Sequence, residues 1–198
     1  MNRQDVKELH YITPIENVPS ILKNGILCHK KASKVLHCSV ASKEIQERRV
    51  QKEVPGTRKV IHDYANLYFH ARNPMLFLRK GQHENLCVLR ISTDVMDIKG
   101  TVITDANASG NYVRFYPSPD GLEQLDAAMV FARDWRDPDQ IIYWQKKSAK
   151  NAEVLIPDCL PPKYVIGAYV SCQKSENALA ACASGLEITV DPDLFFQV

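Results

Sequence analysis

The sequence predicts an α+β fold, on three observations. Helix-forming stretches come early and short β-rich runs come late, without the regular βαβ alternation of a doubly wound sheet. The dinucleotide fingerprint G-x-G-x-x-G is missing, and so is the phosphate loop G-x-x-x-x-G-K-[ST]. Among the α+β folds, the elements below narrow the choice.

Residues 9–13 read as a strand. Residues 17–25 follow as a short helix, with Asn17 as cap, Pro19 in the first turn and Gly25 closing it. Residues 39–51 are rich in Lys, Glu, Gln and Arg, with Val40, Ile45 and Val50 on one face, which predicts a mostly exposed second helix ended by Pro55 and Gly56. Apolar and β-branched runs predict strands over 65–69, 86–91 and 101–104, with Asn73-Pro74 as turn chemistry and 105–111 as a loop. Leu122, Leu125, Met129 and Ala132 carry helical spacing through 122–133, and Pro138 lies in the break that follows. Strands over 154–156 and 164–171, a helix over 176–183 and a last edge strand over 188–190 complete the chain.

A length of 198 residues, 45% of them hydrophobic and 24% charged, fits one globular domain over 1–198. The net charge of +2 is too mild to establish nucleic-acid binding, so any basic groove must arise from local clustering. Six scattered cysteines form no C-x-x-C pair and read as reduced thiols; the histidines show no metal-ligand spacing, so no metal is expected. No run approaches the ~20 apolar residues of a membrane span. A cytoplasmic protein without a membrane partner is expected.

One carboxylate stands out. In Asn151-Ala152-Glu153-Val154-Leu155-Ile156, Glu153 is embedded in an apolar strand, where an uncompensated charge costs several kcal/mol; it must be neutralised or used. The chain also carries Leu9-His10-Tyr11-Ile12-Thr13, Gln46-Glu47-Arg48-Arg49, His62-Asp63-Tyr64 and Asn73-Pro74-Met75-Leu76. On a helix Arg48 and Arg49 project about 100° apart, so only one easily faces a cleft. Taken in order, these segments resemble the DarT family over about residues 9–172.

The resemblance implies an ADP-ribosyltransferase-like fold, a split and bent β-sheet sandwich with flanking helices and NAD in its cleft, without a metal. It implies transfer of ADP-ribose from NAD to thymidine or guanosine in single-stranded DNA with release of nicotinamide, by a toxin partnered by a DarG-like macrodomain antitoxin. Glu153 and Arg49 take the catalytic roles: the carboxylate to hold the ribose 2′-OH and stabilise developing positive charge, the guanidinium to position and neutralise. NAD contacts fall on Tyr11, Ile12, Thr13, Ser20, Cys28 and Arg49, with His10 or Tyr11 as the residue that meets the ligand. A helical segment over about 33–51 closes over NAD, and Tyr68 or Phe69 either stacks on nicotinamide or packs the core. Within 112–153, a loop before Glu153, Tyr112, Arg114, Tyr116, Trp144, Lys146 and Lys147 interleave cations with aromatics, a combination that tracks phosphates and stacks on unpaired bases. Glu153 and Arg49 are expected to meet across one dinucleotide-filled crevice. The alternatives are an enzyme of the same fold acting on RNA or protein, and a non-catalytic single-strand-binding module; Asn151, two residues before Glu153, is not the Glu that would favour protein arginine as acceptor.

Overall fold

The structure, a computed structural model, describes residues 1–40 and 42–197. Strand β1 (Leu9–Pro14) leads into α1 (Val18–Asn24), then β2 (Ile26–Leu27), α2 (His29–Ala32) and α3 (Lys43–Arg49). Next come β3 (Tyr64–Tyr68), α4 (Pro74–Leu78), β4 (Leu86–Ile91), β5 (Val102–Thr104) and β6 (Phe115–Pro117). The second half holds α5 (Ala127–Val130), α6 (Gln140–Ala149), β7 (Glu153–Pro157), β8 (Cys159–Leu160), β9 (Val165–Val170), α7 (Gln173–Cys182) and β10 (Ile188–Val190). The α+β class and the bent sheet flanked by helices are as expected.

Eight strands form one sheet in the order β10-β9-β4-β1-β3-β7-β5-β6, and β2 pairs with β8 separately. The sheet is split at its middle. β1 pairs with β4 along its whole length, but it meets β3 only through His10↔Tyr68. Beyond that joint, β1 and β3 diverge, each keeping its full ladder on the far side, β3 with β7 over Tyr64–Tyr68. Side chains alternate between the two faces as strand geometry requires. Leu89, Val154 and Ile156 enter the main core with α1 and α7, while Val88 and Leu155 go to two smaller clusters on the opposite face.

Local chemistry explains the helix ends. Gly25 closes α1 at φ +84°, its N–H 2.7 Å from the Ile21 carbonyl. A Cβ there would collide with the Leu160 carbonyl, so glycine is required. Asn17 occupies the cap position of α1 without capping it; its amide is used elsewhere, as described below.

Four local expectations are corrected. Among the described residues of 39–51 only Lys43–Arg49 is helical, and Val40 lies outside it, its carbonyl accepting from Arg79 Nε and Nη2 at 3.0 and 2.7 Å. The stretch 122–133 is not one helix: a 3-10 turn at Asp120–Gln124 is followed by a fresh start at Asp126, whose carboxylate caps the short α5 at Ala128 and Met129. Asn73-Pro74 is a helix start, Asn73 Oδ1 accepting from Leu76 N at 3.0 Å and Pro74 opening α4, where a missing N–H costs nothing. The stretch before Glu153 is not a loop throughout. It contains α6, capped by Asp139 at Ile141 and Ile142 (2.7 and 3.2 Å).

Candidate active site

Where β1 and β3 part, their facing edges open onto a cavity of about 440 Å³. Tyr11, Ile12, Thr13 and Pro14 line it from one side, Tyr64, Asn66 and Tyr68 from the other. The described residues between α2 and α3, among them Val35, Cys38 and Val40, line its remaining side, and two pins are among their holds. Asn17 behaves like a strand neighbour, accepting from Cys38 N at 3.0 Å and donating to Cys38 O at 2.7 Å, and Arg79 holds Val40. All six cysteines are free thiols.

Glu153 begins β7 at the back of this cavity, beside Tyr68 of β3 and Thr104 of β5 in register. It is completely buried. Its carboxylate receives three hydrogen bonds: Arg49 Nη2 to Oε2 at 2.8 Å, Arg49 Nη1 to Oε1 at 3.1 Å, and the Ala108 backbone N–H to Oε1 at 3.2 Å. Its own N–H donates to Thr104 Oγ1 at 3.1 Å. A parallel two-pronged arginine grip of this kind is the strongest arrangement a carboxylate can find in a side chain. Burial alone would lower the Arg49 pKa; the facing carboxylate outweighs it and raises it. The Tyr68 phenol, buried and close to Glu153, is also pushed well up.

The structure therefore brings Arg49 and Glu153 together, but not across a gap. They are in direct contact, with Arg49 on the cavity wall and Glu153 behind it. The crevice lies on the far side of the guanidinium.

A second support joins two of the segments named from the sequence. His62 donates from Nε2 to Gln46 Oε1 at 3.0 Å, one turn before Arg49 on α3, and stacks on His29 with ring centroids 4.0 Å apart. Burial, then the neighbouring His29 and Arg49, hold His62 down to about 4, so it is neutral near pH 7. Gln46 and His62 lie in those segments, but nothing in the sequence pairs them. Thr104 and the Ala108 amide had no signal at all, since a backbone donor has no residue code.

The remaining expected residues divide. Tyr11, Ile12, Thr13 and Ser20 line the cavity; the Tyr11 phenol is pushed by burial to about 12. His10 does not. It sits at the single joint between the half-sheets, and its ring is turned to the Phe69 carbonyl (3.2 Å) and Glu8 Oε1 (3.3 Å). Cys28 is buried outside the lining, its N–H donating to the Asp158 carbonyl at 2.9 Å. Phe69 packs in the main core.

A smaller recess of about 280 Å³ adjoins the cavity, sharing Asn107, Gly110 and Asn151 with it; Trp144, Lys147 and Ser148 of α6 form its other wall. Trp144 is 61% exposed there. The other four residues expected at DNA lie outside both linings. Tyr112 and Arg114 are exposed, Tyr116 packs against the core and over Gly121, and Lys146 is paired with Asp137 at 2.8 Å. Among the described residues no group of His, Cys, Asp and Glu is placed to hold a metal ion, and no helix is long and apolar enough to cross a membrane.

The family model described as "ssDNA thymidine ADP-ribosyltransferase, DarT" matches residues 10–196. A DNA ADP-ribosyl transferase-DNA ADP-ribosyl glycohydrolase fusion protein of Thermosipho africanus is 32% identical over 196 residues, 96% of this chain and 49% of that protein. The chain thus spans about half the length of that relative. A DNA ADP-ribosyl transferase of Thermus sp. is 31% identical over 77% of this chain and 76% of its own length. The structure of Thermus sp. 2.9 DarT in complex with ADP-ribosylated ssDNA superposes with a TM-score of 0.85 at 25% identity, covering 98% of both chains. Fold, split-sheet cavity and sequence matches agree, and the chain belongs to the DarT family.

Proposed function

We propose that this chain is one catalytic domain that transfers ADP-ribose from NAD to a thymidine or guanosine base of single-stranded DNA. The observation that carries the reading is the fully buried Glu153, gripped by Arg49 at the wall of the split-sheet cavity. The cavity's volume of about 440 Å³ lies in the ~300–1,000 Å³ range of small-molecule sites, and its lining suits NAD: a guanidinium for the diphosphate, the hydroxyls of Thr13 and Ser20, and phenol faces of Tyr11 and Tyr68.

NAD supplies the ADP-ribosyl group and nicotinamide as leaving group. The chain's residues do the rest. For Glu153 to accept a hydrogen bond from a ribose hydroxyl, Arg49 has to leave it, exchanging the carboxylate for the diphosphate. Glu153, released and still held by Ala108 N–H, then stabilises the positive charge that develops at the sugar as nicotinamide departs. Tyr68 and the covering stretch exclude water, and the recess walled by Trp144 and Lys147 takes DNA by stacking and phosphate attraction.

The fusion of a glycohydrolase to the Thermosipho relative supports a DarG-like macrodomain antitoxin as partner, and a toxin role. The need for both NAD and DNA supports a cytoplasmic site of action. Incubating the chain with NAD and thymidine- or guanosine-containing single strands, followed by mass spectrometry, tests the reading. One ADP-ribosyl unit gained by DNA is expected. A gain on RNA or protein instead, or DNA binding indifferent to NAD with no gain, overturns it.

A further inference from the structure

Arg49 is not the only hold its segment has on Glu153. Three residues on, Lys52 donates from Nζ to the Gly110 carbonyl and lies 6.0 Å over the Phe115 ring. Gly110 belongs to the loop between β5 and β6, and two residues before it Ala108 supplies the third hydrogen bond to the carboxylate.

The loop between these two points is stiff. Asn107 Oδ1 accepts from Ser109 N at 3.0 Å and Ser109 Oγ at 2.6 Å, and the Asn107 carbonyl accepts from Gly110 N at 2.8 Å. Even a single Cβ on Gly110 would come within 3.1 Å of that carbonyl. A shift of Gly110 is therefore passed to Ala108 rather than absorbed. Ala108 is fully buried, so its N–H has no water to fall back on.

At the other end, Lys52 is carried on fixed backbone. Its carbonyl accepts from Ile61 N at 2.9 Å, and the next residue, Glu53, forms an antiparallel bridge with Val60. Half-burial lowers its pKa, in keeping with a side chain held against the protein rather than in solvent.

We propose that Lys52 is a positioning residue for the transfer reaction: by holding Gly110 it sets the Ala108 N–H, and through it the orientation of the Glu153 carboxylate once Arg49 has let go. Segment 49–52 then holds the carboxylate twice, directly in the resting state and through the loop during turnover. The proposal rests on the transferase reading above. Its rival is a simple phosphate contact, which would change DNA affinity and its salt dependence and nothing else.

The test compares Lys52→Met and Lys52→Arg in the full chain, measuring kcat, KM for NAD, KM for a single-stranded oligonucleotide, and hydrogen exchange of the Ala108 amide without substrates. Lys52→Met is expected to lower kcat on the order of ten- to a hundredfold, since small misplacements at a reacting centre cost that much, with KM for NAD within about twofold. Ala108 exchange should quicken by more than about tenfold, as expected for a locally loosened amide. Lys52→Arg should recover most of both. Unchanged Ala108 exchange, or an effect confined to KM for the oligonucleotide, overturns the proposal. If the chain transfers no ADP-ribose at all, the exchange measurement still scores the Lys52–Gly110–Ala108 linkage, so the two failures are distinct. Should the Met variant not fold, Lys52→Gln, polar but one atom too short to reach the Gly110 carbonyl, gives the same exchange readout.

Discussion

Arg49 and Glu153 are both buried, so each is the main compensation for the other. Removing one member of a buried pair leaves an unpaired charge and costs about 3–5 kcal/mol. Arg49→Met should lower unfolding free energy by about that amount in a denaturant titration; a loss under about 1 kcal/mol would mean that water reaches the carboxylate. Glu153→Gln should behave differently. It abolishes transfer, yet NAD should bind more tightly, with Kd falling up to about tenfold, because the guanidinium no longer has to be pulled from a carboxylate. Calorimetric titration reads this directly, and a Kd that rises would show that Arg49 is not released on binding. The need to compensate Glu153 was legible in the sequence, as a lone acid in an apolar run. Its partners were less so: Arg49 stood out only within the ordered set of motifs, Ala108 contributes a main-chain group, and the His10 or Tyr11 choice depended on the register of β1, fixed by its ladder with β4 and the joint His10↔Tyr68.

At the scale of elements, what could be read depended on which faces are buried. β4 and β10 fall on the expected residues, because apolar and β-branched runs report a strand locally. α6 escaped notice for the opposite reason: none of its residues is fully buried, its inner face is thin, with Ile142, Tyr143 and Ala149 only half-buried, and its cations and aromatics read as loop. The spacing across 122–133 misled, since Leu122 and Leu125 are buried from a 3-10 turn and Val130 rather than Met129 enters the core. A helix with so thin a core face leans on its cap. Asp139→Ala should cost α6 about 1 kcal/mol. Because α6 carries Trp144 and Lys147 to the recess, the variant should raise KM for the oligonucleotide several-fold while NAD affinity stays put. A change in NAD affinity of similar size would show that cavity and recess do not work as separate sites.

Over the whole molecule, the split sheet leaves its two halves joined by one strand pairing, and polar groups around that joint share the work of holding it. Glu8 gathers β1, β4 and β9 through His10, Arg90 and Tyr169. Burial alone would raise its pKa, but those hydrogen bonds bring it to about 2. His70, just past β3, accepts from Lys150 at 2.8 Å and is held down to about 3, by burial first and then by that ammonium. His62 is held to about 4, with Asp63 only partly offsetting the burial and the cations around it. The signs agree. For both histidines the unfolded chain takes up a proton first, near its ordinary value of about 6.5, so their contribution is complete above that pH and drains as pH falls toward 4 and 3. For Glu8 the contribution is complete above its ordinary 4.5 and drains toward 2. Stability should therefore slope downward from about pH 6.5, and steepen below 4.5. Urea midpoints across pH 7 to 3 measure this, with His62→Gln/His70→Gln as the control: the double variant should flatten the slope between 6.5 and 4.5 and keep the lower one. An unchanged upper slope in that variant would move the acid sensitivity elsewhere, away from the groups that hold the cavity and the joint together.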